Sequence, residues 1–270
     1  MLKNLETSRN DQIKISDYCK KKRIMFLSTP YDKESADFLD KVIDVPMFKL
    51  ASIELNNHIF IRYIAKKGKP FLLSTGLSTM DDVRNVVKIA KKEGFVDRMI
   101  LLQCTSDYPA KTKYLNLNVL KTYMKEFPDM LFGFSDHSST DIASVGAVAI
   151  GAAIVEKHFT LDKSFKGPDH SSSLDVDGLK EWVAHIREIE ASMGSYEKKI
   201  TKAEKGNKSM RKYLVITPQK RGTIIQENML RTMRTGEGVL PIDKNLKDIV
   251  GKKLKKEIKK SKPFSWDMIK

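Results

Sequence analysis

Three of the five histidines lie between Phe132 and Leu174, and their placement is the first sign of chemistry. His137 closes the run LFGFSD and His158 closes AAIVEK, with a small-residue helix pattern between them. That reads as strand, helix, strand, with an imidazole at each strand exit. In a parallel barrel the strand exits meet at one face, where active sites lie. Two imidazoles converging there would suit a divalent metal acting as a Lewis acid. A single histidine at a strand end is more often a satisfied polar group; the repeated placement is what favours a pair of ligands. Asp169 and His170 follow in a Gly-Pro-Asp-His turn.

The elements that would position these groups alternate along the chain. Residues 8–22 read as a helix, RIMFLS as a strand, and KESADFLDKVI as a helix with apolar residues at helical spacing. MFKLAS, FLLSTG, MILLQC, LFGFSD and AAIVEK continue the strands, with helices between them ended by Gly68, Pro70 and Gly94. The pattern predicts a parallel sheet with crossover helices. Six strands are expected, at 23–28, 47–52, 71–75, 99–104, 131–135 and 153–157, each followed by polar or small residues. A closed barrel needs eight. Six leave either an open sheet or a barrel that lacks its start.

Length and composition bound the rest. The 270 residues suffice for one large domain and a small one. Ile142 to Val155, the longest small-apolar run, is too short for a bilayer, and Met1–Lys14 has no signal-peptide pattern. The cytoplasm is the default expectation. Cys19 and Cys104 have no metal-ligand spacing. The formal net charge of +15 would suit a polyanion or a small phosphorylated substrate. The lysines are spread widely, however, and few aromatics alternate with them, which favours solvated surface over a nucleic-acid groove.

Seven motifs occur in order: STPYD at 28–32, FKLASIE at 48–54, LSTGLST at 73–79, QCTSDYP at 103–109, FSDHS at 134–138, EKHFTLD at 156–162 and GPDHSSSL at 167–174. Together they resemble the sialic acid synthase family, enzymes that condense phosphoenolpyruvate with an N-acylated amino sugar. The resemblance implies an α/β fold, a (β/α)8 TIM-type barrel over 1–194 that lacks its first two strand-helix units. It also implies that the family's early active-site glutamate and its Lys-Phe-Gln segment are absent.

By that resemblance His137 and His158 hold a divalent metal, manganese first, with magnesium or cobalt as alternatives. Thr29, Lys49, Ser52, Ser74 and Ser135 match residues around phosphoenolpyruvate, whose phosphate and carboxylate call for a cation and short donors. Each Ser or Thr can also be read as a strand-end cap. Ser106 falls where some members have asparagine. Tyr108 and Asp169 match positions facing the amino sugar. Glu54, with Lys49, is the candidate for acid–base work, or else holds Lys49 in place. His170 and the SSSL after it resemble neuraminate and legionaminate synthases more than pseudaminate synthases.

After Gly194 a charged linker, 195–211, leads to a segment at 212–270 resembling the small antifreeze-like (SAF, β-clip) domain of the same family. There the family presents an arginine to the barrel of a second subunit. Arg234 matches it, with Thr235 in place of the usual proline. A homodimer with swapped SAF domains is implied. The function expected is formation of a nine-carbon 2-keto acid and phosphate. The alternatives are a non-catalytic chain that still binds metal or phosphoenolpyruvate, and a basic nucleic-acid-binding protein.

Overall fold

The computed structural model describes residues 6–207 and 210–269, which divide into two units, 1–194 and 195–270. In the first, α1 (Arg9–Lys22) and α2 (Lys33–Phe38) precede four repeats of strand and helix. These are β1 (Phe48–Leu50), α3 (His58–Ala65), β2 (Phe71–Ser74), α4 (Met80–Glu93), β3 (Met99–Cys104), α5 (Asn118–Glu126), β4 (Phe132–Asp136) and α6 (Ile142–Ile150). A last strand, β5 (Ile154–Lys157), leads to α7 (Val176–Met193). All five strands are parallel and neighbours in chain order, which makes a half-barrel.

Local chemistry explains the boundaries. Thr79 and Asp82 form a reciprocal capping box at the start of α4, and Gly94 ends it at φ +74°, where a side chain would be strained. Asp175 caps α7 by accepting the Gly178 N–H. Period-two alternation sorts the strand residues onto two faces. Phe48, Leu50, Phe71, Leu73, Met99, Leu101, Phe132 and Phe134 join the main core with the helices. Met47, Leu72, Ile100, Leu102 and Ile154 form a separate apolar layer on the lumen face.

The strand expected at 23–28 is not present. Arg23 ends α1 in the left-handed region (φ 58°), and the Ile24 N–H returns to the Cys19 carbonyl. Residues 24–30 form no ladder with β1, and Ile24 and Met25 are exposed. A strand exists only as a partner in hydrogen bonding, and an apolar run alone does not supply one. The sheet therefore has five strands rather than six.

The second unit is built on β6 (Tyr213–Ile216), flanked by antiparallel β7 (Leu230–Met233) and β8 (Lys262–Pro263), with α8 (Asp243–Ile249). Its own core contains Leu214, Ile216, Ile225, Ile249, Leu254, Ile258 and Phe264. The basic stretch after α8 runs as isolated bridges that pair Ile224 with Lys253 and Gln219 with Ile258. Charge divides unequally between the units. Residues 195–270 hold 21 of the 49 Lys and Arg but 8 of the 34 Asp and Glu, which is 13 of the 15 net positive charges. Among the described residues no helix is long and apolar enough to cross a membrane.

Candidate active site

The lumen face rises in layers from the apolar floor. Gly133 belongs to that floor because nothing larger fits: a Cβ there would lie 2.5 Å from both the Ile154 carbonyl oxygen and Leu102 Cδ2. One pleat higher the same alternation presents Lys49, Ser74, Cys104, Ser135 and Glu156. Cys104 pairs with Ser135 and Ser135 with Glu156 across the ladders, so these three form a row. Lys49 Nζ lies 3.4 Å from Glu156 Oε1, and the Ser135 hydroxyl donates to the same oxygen at 2.6 Å.

Loops at the strand exits supply the next layer. The Ser52 hydroxyl accepts the Gly76 N–H at 3.0 Å. A Cβ at Gly76 would lie 2.2 Å from Ser106 Oγ and 2.9 Å from Ser52 Oγ, so the absence of a side chain lets these two hydroxyls pack directly against the glycine. Ser74 Oγ is buried with no hydrogen-bond partner. An orphaned buried hydroxyl calls for a specific explanation, and a bound acceptor is one. Burial raises the pKa of the Cys104 thiol and so keeps it protonated.

Above these sit three rings. His137 and His158 have centroids 5.3 Å apart, and Tyr108 lies 4.2 Å from His137 and 5.5 Å from His158. The Nδ1–H of His137 donates to the Thr105 carbonyl at 2.8 Å. A carbonyl can only accept, so Nδ1 carries the proton and the Nε2 lone pair is left to serve as a ligand. Burial lowers the His137 pKa, which favours the same neutral form. Asp169 Oδ2 lies 3.9 Å from His158 Nδ1. Burial is the main cause that pushes the Tyr108 hydroxyl up to about 12, with Cys104 and Asp169 adding to it.

Among the described residues no group of three or more His, Cys, Asp or Glu is arranged to hold a metal ion. The His137 and His158 imidazoles on one rim remain, and that donor set fits a divalent ion completed by water or substrate oxygens.

Lys49, Ser52, Ser74, Ser106, Tyr108, Ser135, His137, His158 and Asp169 all belong to the lumen face or its exit loops. Thr29 is half-buried in the segment outside the sheet. Glu54 is buried and accepts from Asn57 Nδ2 at 2.7 Å within its own turn. The carboxylate beside Lys49 is therefore Glu156. Sequence reasoning passed over Glu156, although it lies two residues before His158 and so shares its face. Arg234 follows β7 in the second unit.

Residues 1–198 match the model of the NeuB family and residues 220–270 that of the SAF domain. The chain belongs to the NeuB family. It is 36% identical over 256 residues to human N-acetylneuraminate-9-phosphate synthase, covering 93% of this chain and 70% of that protein. It is 37% identical over 242 residues to N,N'-diacetyllegionaminic acid synthase of Campylobacter jejuni, covering 88% and 72%. A crystal structure of the N-acetylneuraminic acid synthetase of Leptospira borgpetersenii, in complex with citrate, aligns at TM-score 0.69 and 29% identity, over 75% of this chain and 70% of that one. The parallel half-barrel is thus the NeuB fold, and the small antiparallel unit contains the SAF domain.

Proposed function

We propose that this chain condenses phosphoenolpyruvate with an N-acylated amino sugar, giving a nine-carbon 2-keto acid and phosphate. One observation carries the reading: an anion cradle of Lys49, Ser52, Ser74 and Gly76 lies one layer beneath paired imidazoles. Phosphoenolpyruvate has two anionic groups, and the ammonium with short donors suits them. With no side chain at Gly76, the Ser52 and Ser106 hydroxyls close against its backbone, which gathers short donors at the strand exits. The family membership and the relatives' names support the same chemistry.

In the reaction the methylene carbon of phosphoenolpyruvate bonds to the sugar aldehyde carbon, whose oxygen becomes a hydroxyl on taking a proton. Water adds at the former enol carbon and loses a proton, and C–O cleavage expels phosphate to leave the ketone. A divalent ion held by His137 and His158, manganese first, would polarise the aldehyde oxygen. Lys49 binds and orients the anion. Glu156 holds the Lys49 ammonium in place and is the carboxylate suited to take the water's proton, in place of Glu54, which is engaged in its own turn. Tyr108, kept protonated, and Asp169 face the sugar. Arg234 would reach it from the SAF domain of a second copy in a homodimer. The His170-Ser-Ser-Ser-Leu segment favours a neuraminate or legionaminate precursor.

The test is phosphate release from phosphoenolpyruvate with manganese and a panel of N-acylated sugars, with His137→Ala as control. Sugar-dependent release that the control loses supports the reading and names the sugar. The open sheet favours a second reading, binding without turnover. Phosphoenolpyruvate binding with no release under any sugar would select it.

A further inference from the structure

Behind the two histidines, away from the lumen, lies a buried ion pair. Asp136 ends β4 and Lys157 ends β5, and the two are register partners. Each directly precedes one histidine. Lys157 Nζ lies 3.0 Å from Asp136 Oδ2, and their side chains are 1% and 0% exposed. Alternation turns both away from the lumen, where Ser135 and Glu156 point.

The pair is completely satisfied. Asp136 accepts from the Ser138 N–H at 2.8 Å and from the Ser144 hydroxyl of α6 at 2.7 Å. Lys157 also donates to the Ser138 and Thr140 carbonyls, the latter at 2.8 Å. The backbone on both sides of His137 is therefore held, and the strand that carries His158 is tied to the same point. A buried ion pair is a weak source of stability, since well-packed apolar residues often do as well or better. Its specific effect here is geometric: it sets how far apart two neighbouring strands hold the residues that follow.

We propose that Asp136 and Lys157 form a positioning brace that fixes the spacing and orientation of the His137 and His158 rings. Neither touches the lumen, so both act through the histidines. The proposal rests on reading those histidines as a metal-binding pair. It separates from an ordinary structural ion pair because spacing and stability need not change together.

The test uses the full chain with the double replacement Asp136→Asn, Lys157→Met, which removes both charges and leaves no lone buried ion. Three quantities are read: the thermal midpoint, Mn2+ affinity by titration, and the NMR signal of the His137 Nδ1–H. The expected result is a midpoint within a few degrees of the parent, Mn2+ affinity lower by roughly tenfold or more, and a shifted or lost Nδ1–H signal. Phosphoenolpyruvate affinity without metal should not change, because Lys49 is untouched. A folded double variant with parental Mn2+ affinity and an unmoved signal overturns the brace. If the parent itself binds no Mn2+, the metal reading has failed, and the Nδ1–H signal alone decides. If the double variant does not fold, Ser144→Ala takes its place. A severalfold loss of Mn2+ affinity at a near-parental midpoint supports the brace, and unchanged affinity overturns it.

Discussion

Gly76 is the residue on which the anion cradle turns. Gly76→Ala would put a methyl group where the Ser106 and Ser52 hydroxyls already crowd. The expected outcome is phosphoenolpyruvate affinity lower by roughly tenfold or more, from displaced donors, with the secondary structure intact; isothermal titration beside circular dichroism checks both. His137→Ala and His158→Ala should each lower Mn2+ affinity by at least about tenfold, measured by electron paramagnetic resonance of the free ion. At this scale much of the site was legible in the sequence. Lys49, Ser74, Ser135 and the two histidines share one face because side chains alternate along a strand. Glu156 obeys the same rule, but Glu54 is far nearer to Lys49 in sequence and is the carboxylate that a local pattern points to. Contact between Lys49 and Glu156 depends on β1 and β5 curving towards each other, and no local pattern encodes that.

Elements were readable where they carry their own punctuation. Thr79, Asp82 and Gly94 bound α4 from within, so its limits follow from sequence. The run at 23–28 had the apolar composition of a strand, yet strand formation needs a partner that composition cannot supply. Gly133 shows the same dependence on a neighbour, since β5 passes too close for any side chain. Gly133→Ala should cost about 3 kcal/mol or more, the upper range for overpacking against backbone, read as a lower urea midpoint at an unchanged slope. Between helices, His185 of α7 hydrogen-bonds Asp141 at the start of α6, and this bond raises the His185 pKa. The folded chain therefore holds that proton more tightly than the unfolded one. The gain is fully present below the ordinary value of 6.5 and is lost as pH rises through the raised folded value. His185→Gln should flatten the fall in thermal midpoint across that window while leaving the rest of the pH profile in place.

The molecule as a whole is electrically two different objects. The first unit is nearly neutral, and many of its cations are paired, as Arg84 is with Asp81 and Glu126 and Lys67 with Asp37 and Asp40. In the second, Lys252, Lys253, Lys255, Lys259 and Lys260 are exposed with no ion pair among the described residues. Like-charge repulsion opposes its compact state and is screened by salt. Raising sodium chloride from low to about physiological strength, where the Debye length is about 8 Å, should raise the unfolding temperature of the second unit more than that of the first. Calorimetry of the full chain checks this, and parallel shifts of both transitions would refute it. The two-unit organisation was legible from the compositional break after Gly194, but lysine runs spread widely along the chain conceal how much of the net charge falls in residues 195–270. That charge also governs how the protein behaves at an interface. An anionic support would capture it by residues 195–270, so an immobilised layer would be anchored through the strongly basic second unit.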